Sequence, residues 1–396
     1  MQTVFLAAGE GTRMRPLTAG APKPMLPVAG SPILEHTIDV AIDAGATEIV
    51  LVVGYYADEI QAYFGDEFRS IPIRYAVQED RLGTAHAVQT AAHYLDDEPF
   101  VVLNGDALYD RDSLAELYGS GPAVGSFEVD TPEEYGVLEL DGGRVDHVFE
   151  KPTDPPSNLV NTGAYVFPSE ALSWLEVEQS ERGELELTDV LERTCETYEV
   201  TPVEMSRWLD VGRPWELLEA NEWKLDEQER RIDGTVHESA ELVGDVVIEE
   251  GATIRSGVVI EGPGLVESGA VVGPNAFVRG ASSIGEGVKV GHAVEIKNSV
   301  LMAETSVGHL SYVGDSVLGE GVNFGAGTTV ANLRHDGGDV TMQVKGQTVS
   351  TGRRKFGTVC GPGAKTGINT SLNAGVTLPD GGMTKPGSTV LYDPDA

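Results

Sequence analysis

IRSGVVIEGPGLVESGAVVGPNAFVRGASSIGEGVKVGHAVEIKNSVLM, residues 254–302, carries an aliphatic residue or Met at every sixth position: Ile254, Ile260, Val266, Val272, Val278, Ile284, Val290, Ile296 and Met302. A strict period of six fits neither a helix, whose apolar face recurs every 3.6 residues, nor a sandwich strand, whose side chains alternate. It predicts a parallel β-helix. Each hexad supplies one short strand with its aliphatic residue inward, small residues turn the corners, and about three hexads close one triangular coil. A single coil has nothing to bury its face against, so only the stack is stable.

Upstream of the repeat the texture is different. Residues 4–8, 49–53 and 100–103 read as short buried strands, residues 33–44 and 58–64 as helical segments, and residues 216–231 as a Glu- and Leu-rich closing helix. Strands alternating with helices predict an α/β domain with a mostly parallel sheet, whose functional residues gather at the C-terminal strand ends. From Ile232 the chain turns to Gly and Val, which divides it into residues 1–231 and 232–396.

With 396 residues and 41% hydrophobic content, the chain is long enough for two or three domains with their own cores. Its 63 acidic residues outweigh 27 basic ones, a formal net charge of −36, which excludes a nucleic-acid partner that needs a basic face. Only nine residues are Lys. An acid-rich, Lys-poor surface is tolerated where salt screens its self-repulsion, which points to a halophilic cytosol. Cys195 and Cys360 have neither disulfide nor metal-ligand spacing, as expected of a reducing compartment. The apolar start, MQTVFLAAGEG, is too short for a secretion signal and no run of 18 apolar residues follows, so neither export nor a membrane span is expected.

The first strand runs into Leu6-Ala7-Ala8-Gly9-Glu10-Gly11-Thr12-Arg13-Met14-Arg15-Pro16. A glycine-rich turn after a strand lets backbone N–H groups approach phosphate oxygens, with cationic side chains supplying charge. Met14 stands where a dinucleotide fingerprint needs Gly, and the Gly-Lys-Ser/Thr of a Walker A loop is absent. Gly9-Glu10-Gly11-Thr12-Arg13 followed by Lys23-Pro24-Met25-Leu26-Pro27 instead resembles the signature of sugar-phosphate nucleotidyltransferases. Six further stretches follow in that family's order along the chain. Gln78 with Leu82-Gly83-Thr84 resembles its base-reading segment, and Gly105-Asp106 and Asp210-Val211-Gly212 its metal acids. Tyr135-Gly136, Glu150-Lys151-Pro152 and Asn161-Thr162-Gly163 resemble its sugar-phosphate pocket. Taken singly, Asp106 reads as a turn residue, Lys151 as a solvated Lys and Asp210 as a helix cap. The ordered set does not.

The resemblance implies that Ala7, Ala8, Gly9, Gly11, Thr12, Gln78, Gly83 and Thr84 bind the nucleotide, UTP or dTTP. It implies that Arg13 and Lys23 are catalytic, that Asp106 and Asp210 hold Mg²⁺, and that Gly136, Glu150, Lys151 and Asn161 bind the sugar 1-phosphate. The reaction is then in-line transfer of a nucleotidyl group with release of pyrophosphate, without a protein nucleophile.

Beyond the regular hexads, Gly308-His309-Leu310-Ser311-Tyr312-Val313-Gly314-Asp315, then Val322 to Thr328 and Ala331-Asn332, resemble another segment. It is the acetyltransferase part of the bifunctional glucosamine-1-phosphate acetyltransferase and N-acetylglucosamine-1-phosphate uridyltransferase family. That resemblance implies a left-handed β-helix, acetyl-CoA as co-substrate, a homotrimer and a cytoplasmic enzyme. His309 falls on the family's catalytic base, Arg279 and Lys297 on its phosphate ligands, Tyr312 and Asn323 on its sugar contacts. Ala326 falls on the acetyl-CoA wall, and Asn332 on a residue touching both sugar and acetyl donor, with a backbone N–H or the Asn332 amide to hold the oxyanion. Asn332 is followed by Leu-Arg-His-Asp-Gly, and residues 340–356 form an insert before the hexads resume near Val359; with Thr351 to Lys355 and Lys365 to Asn369 this looks like the archaeal two-domain branch. There the amino sugar extends from glucosamine to galactosamine 1-phosphate. Three competing readings are a glucose-1-phosphate thymidylyltransferase whose β-helix is only a scaffold, a non-catalytic regulatory subunit, and a structural β-helix protein. The last does not account for the α/β half of the chain.

Overall fold

In the computed structural model, which describes residues 1–54, 56–180 and 182–393, β1 (Gln2–Leu6) is the strand on which the first sheet is organised. Through α1 (Ile33–Ala44) the chain reaches β2 (Glu48–Val53), parallel to β1, and through α2 (Ala57–Phe64) β3 (Ile71–Val77), parallel to β2. After α3 (Thr84–Ala91) it crosses to the other edge of β1 as β4 (Phe100–Asn104), also parallel. The order β4-β1-β2-β3 therefore reverses between β1 and β4. Parallel sheets open a crevice for ligands at the C-terminal ends of such a pair.

The remaining strands turn the sheet from parallel to mixed. After β5 (Ala107–Tyr109) and α4 (Arg111–Gly119), β6 (Gly136–Asp141) and β7 (Arg144–Glu150) form an antiparallel pair. β8 (Leu159–Phe167) runs antiparallel to both β4 and β6. After α5 (Leu187–Thr197), β9 (Trp208–Asp210) lies antiparallel to β5, with Asp210 opposite Ala107. Leu51, Val53, Val101 and Leu103 are fully buried in one core, and Val50, Val52 and Val102 in a second on the opposite sheet face.

The structure parts into two compact units: Met1–Glu10, Pro22–Met25 and Ile33–Asp210 form one, and Gly11–Ala21, Leu26–Pro32 and Val211 onward the other. The closing helix is α6 (Pro214–Asp226), which begins with Pro, ends before residue 231 and packs within the second unit. Its fully buried Asn221 accepts from the Ala29 N–H at 3.0 Å and the Ser283 hydroxyl at 2.6 Å, and donates to Ala281 O at 3.0 Å.

The second unit is a left-handed parallel β-helix whose coils add one two- or three-residue strand to each of three parallel sheets. Within the β-helix the first sheet is the one in which Val266 pairs with Ile284, the second that in which Val272 pairs with Val290, and the third that in which Val278 pairs with Ile296. Ile254 to Ile296 all point into one continuous apolar core, as the period of six predicts. Met302 does not. It is Leu301 that enters the core, because the coils in which Ser283 pairs with Val300 and Val300 with Val317 are each one residue shorter than the coil from Leu265 to Ser283. The lost residue comes out of the corner between the third and first sheets, where Asn298 and Asp315 take left-handed backbone at φ 46° and 51°. Asn and Asp tolerate that region better than other side-chain-bearing residues. The insert of residues 340–356 contains an antiparallel hairpin, Thr341–Val344 with Gln347–Ser350, extruded while Leu318 pairs directly with Cys360. Both cysteines are free, and no described helix is long and apolar enough to cross a membrane.

At another corner of the coils, burial first and then the charge of Glu249 push the Glu267 carboxyl up to about 7, with Glu286 adding further charge. A glutamate that ionises near 4.5 when unfolded then loses favourable protonation as pH climbs from 4.5 through 7. Thermal unfolding of the second unit is expected to be hardest near pH 5 and to weaken by about 2–3 kcal/mol toward pH 8. Glu267→Gln should flatten that slope; an unchanged slope would refute the assignment.

Candidate functional site

The crevice between β1 and β4 is built by close backbone approach. The Gly105 N–H bonds Leu6 O at 3.0 Å, and a Cβ on Gly105 would stand 2.9 Å from that same oxygen. The Ala7 N–H bonds Val52 O at 2.9 Å, and a Cβ on Gly54 would stand 3.0 Å from Ala8 O. Ala7 and Ala8 are buried, while Gly9 is exposed with open space where a side chain would be. Gly11 has left-handed backbone at φ 60°, and its carbonyl accepts from the Met14 N–H and the Thr18 hydroxyl, each at 2.9 Å. That turn sets the one-turn helix Thr12–Met14, on which Arg13 is exposed; by its packing this segment belongs to the second unit.

Lys23 is nearly buried, its ammonium 2.7 Å from Asp106 Oδ2 and 3.8 Å from Asp210 Oδ1. The two acids are far apart in sequence and become neighbours because β9 pairs with β5. Buried Tyr109, donating toward Thr162 O and Gly163 O, fixes the base of that pair; burial first and the Asp106 charge second hold its phenol well above the usual range.

Gln78 is buried at the end of β3, its amide donating to Gly83 O at 3.3 Å and facing His86 Nδ1 at 2.9 Å. Gly83 (φ 123°) admits no side chain, since a Cβ would stand 2.4 Å from Leu185 O. The Leu185 N–H bonds Leu82 O at 2.6 Å, the Ala85 N–H bonds Leu185 O, and Thr84 Oγ1 accepts from the Leu187 N–H, so residues 82–85 are laced to residues 185–187. Gly136 lies opposite Glu150, and a Cβ on it would meet Glu150 Oε2 at 3.3 Å and Asn161 Nδ2 at 3.5 Å. Asn161 is buried, donating to Tyr165 Oη and accepting from the Gly163 N–H. Lys151, at φ 46°, stands 3.8 Å from Glu150. Arg182, which the motifs did not flag, bridges Glu150 at 2.8 Å and Glu186 at 2.6 Å, a second cation in this group. The signal that would have found it is weak: an Arg in an acid-rich loop, with no fixed spacing to Lys151.

In the second unit, Arg279 and Lys297 occupy successive rungs of the third sheet, and Tyr312 stands one rung beyond Glu295. The Arg279 guanidinium pairs with Glu295 at 2.8 Å. Lys297 pairs with buried Asp315, and Asn332 donates both to Asp315 and, at 3.1 Å, to Tyr312 Oη. Burial first, with the Asp315 charge behind it, raises the Tyr312 phenol. His309 and Asn323 line a separate cavity of about 360 Å³ along the second sheet, together with Arg255, Lys289 and His292. Ala326 lies one coil beyond His309, its N 2.7 Å from where a Gly308 Cβ would be.

The His292 N–H points at His309 Nδ1 at 3.2 Å. An accepting Nδ1 leaves the proton of a neutral ring on Nε2. A His309 that takes a proton at Nε2 therefore adopts the other tautomer and gives this bond up. Both donors of the Asn332 amide are spent on Asp315 and Tyr312, which leaves the amide an acceptor rather than the oxyanion donor its type suggested.

Residues 2–227 match the nucleotidyl transferase family, and residues 260–386 the family of the GMPPB C-terminal domain. A bifunctional GlmU protein of Methanococcus vannielii is 44% identical over all of this chain and 95% of its own length. A bifunctional sugar-1-phosphate nucleotidylyltransferase/acetyltransferase of Sulfurisphaera tokodaii is 37% identical, with 99% of this chain and 98% of that protein covered. A UDP-glucose pyrophosphorylase solved with UDP-glucose matches 57% of this chain and 99% of its own at 25% identity and a TM-score of 0.52. Similarity that runs the full length of both chains covers the strand-end carboxylates and the β-helix alike, and the chain belongs to the bifunctional GlmU family of nucleotidyltransferase/acetyltransferases.

Proposed function

We propose that this protein acetylates glucosamine 1-phosphate, and galactosamine 1-phosphate as a second substrate, with acetyl-CoA, and then transfers a nucleotidyl group from UTP or dTTP to the acetylated sugar phosphate. The observation that carries the nucleotidyl-transfer step is the Lys23 ammonium set between two strand-end carboxylates beside the β1–β4 crevice. Asp106 and Asp210 suit Mg²⁺, which keeps most of its waters and takes one or two carboxylates plus phosphate oxygens. Among the described residues no cluster of three or more His, Cys, Asp or Glu side chains forms, so the pair offers two carboxylates rather than an all-protein cage. When bound, Mg²⁺ supplies charge neutralisation for the triphosphate and the leaving pyrophosphate.

The chain's own residues do the rest. Ala7, Ala8, Gly9, Gly11 and Thr12 present backbone to the phosphates, and Arg13 and Lys23 offset the charge that develops as the sugar-phosphate oxygen attacks the α-phosphorus. Lys151 grips the sugar phosphate, Gly136, Glu150 and Asn161 line the sugar, and Gln78, Gly83 and Thr84 face the base. In the β-helix, His309 takes the proton of the attacking amine, Arg279 and Lys297 hold the phosphate, Tyr312, Asn323 and Asn332 the sugar, and Ala326 borders the acetyl donor.

The physiological setting we propose is a salt-rich cytosol and a homotrimer in which neighbouring β-helices complete the acetyl-transfer sites. Its supports are the net charge of −36 and the placement of His309 and of Lys297 on different faces of one coil stack. The test is the purified protein in high salt, with glucosamine, galactosamine, N-acetylglucosamine and glucose 1-phosphates against UTP and dTTP, with and without acetyl-CoA. Free amino-sugar phosphates should yield nucleotide sugar best when acetyl-CoA is present. Nucleotidyl transfer without any acetyl-CoA consumption would overturn the acetyltransferase half.

A further inference from the structure

Asp315 carries no role in the site described so far, yet it is the residue on which that site converges. It is almost wholly buried and stands at the shortened corner with left-handed backbone, φ 51°. Its N–H bonds Lys297 O at 2.8 Å and its carbonyl accepts from the Gly357 N–H at 2.7 Å. Its carboxylate takes the Lys297 ammonium on both oxygens, at 2.8 and 2.6 Å, the Asn332 amide on Oδ2 at 2.5 Å and the Asn298 amide on Oδ1 at 3.2 Å. Asn298 in turn donates to Glu222 of α6 at 2.8 Å, and Glu222 pairs with Arg353 at the end of the insert. One carboxylate thus gathers Lys297 and Asn332 directly and Tyr312 through Asn332.

A carboxylate accepts and never donates, so it decides which way each partner faces. The Asn332 carboxamide must aim its nitrogen inward at Asp315, and its carbonyl oxygen is the atom left to meet an incoming group. An acceptor there suits the N–H of a free amino sugar. The Lys297 ammonium spends two of its three N–H donors on Asp315, and the third is held in one direction by the other two. Charge-assisted bonds of this kind are the strong ones, and the shortened corner makes Asp315 reach Lys297 with little freedom.

We propose that Asp315 is the positioning residue of the acetyltransferase site, orienting Lys297 toward the sugar phosphate and the Asn332 carbonyl toward the amine. This rests on the acetyltransferase reading above. Asp315→Asn replaces an acceptor by a donor facing Lys297 and lets the Asn332 amide turn over. In the full-length enzyme, KM for glucosamine 1-phosphate should rise roughly 10- to 100-fold, the effect of losing charge-assisted bonds, with KM for acetyl-CoA and the nucleotidyl-transfer rate little changed. In a Lys297→Met background the same substitution should add far less than it does alone, because the two residues act as a unit. Asn298→Gly keeps the left-handed backbone and removes one outer bond to Asp315; it should raise the same KM by a few-fold without loss of folding, should Asp315→Asn fold poorly. A normal KM in both variants, or effects of Asp315→Asn and Lys297→Met that simply multiply, would overturn the positioning role while leaving the acetyltransferase reading intact. Absence of acetyl transfer in the unmodified enzyme would instead remove that reading, and this inference with it.

Discussion

Lys23→Ala is expected to lower nucleotidyl transfer by about 10³-fold, within the range seen when one donor to developing charge is removed. The geometry explains the size. Lys23 is nearly buried, 2.7 Å from Asp106 and 3.8 Å from Asp210, and the chain has only nine Lys in all. Removing it leaves two neighbouring carboxylates without the ammonium they share. Full burial of such an uncompensated charge costs about 3–5 kcal/mol, but both acids are partly exposed, so a loss of about 1–3 kcal/mol is expected. Added Mg²⁺ should then raise the thermal midpoint of the variant more than that of the parent, because the cation replaces part of the missing charge. Acetyl transfer, carried by the other unit, should be unaffected. A variant with a near-normal rate of nucleotidyl transfer would refute the assignment, as would one whose midpoint ignores Mg²⁺.

His309→Ala should have the mirror effect, a fall in acetyl transfer of about 10²- to 10⁴-fold, the usual contribution of a positioned general base, with nucleotidyl transfer spared. The ring lines the 360 Å³ cavity at a corner of the coil, and the other residues lining that cavity include one more imidazole, His292. His292 is the informative control. It offers His309 only its backbone N–H, which His292→Ala retains, so that substitution should cost far less. Equal losses from the two would mean that the second imidazole is the base. Unaltered acetylation by His309→Ala would refute His309 as the base.

How much of this was legible beforehand depends on whether a feature is local. The six-residue period located the inward residues from Ile254 to Ile296, because one side chain per strand faces the core in every coil. It failed at Leu301, where Val300, Leu301 and Met302 are all apolar and a one-residue deletion at the preceding corner leaves no mark in the pattern. The strand–turn–motif units of the α/β half were legible for the same reason: a glycine-rich turn after an apolar strand is a short-range feature. Gly54, Arg182, His292 and Asp315 were not. Each acts through a partner on another strand or coil, as Arg182 does through Glu150 and Asp315 through Lys297.

By itself, then, the sequence determined the two architectures, their order along the chain and the residue types each site would use, since periodicity, turn chemistry and motif spacing are properties of neighbouring residues. Only the tertiary structure decided which of those residues face one another and in which direction: that Asp106 and Asp210 share Lys23, that the Asn332 amide has no donor left for an oxyanion, and that one buried carboxylate orients the acetyltransferase cluster. Strand pairing across a sheet and stacking of coils set those directions, and the number of residues between partners does not encode them.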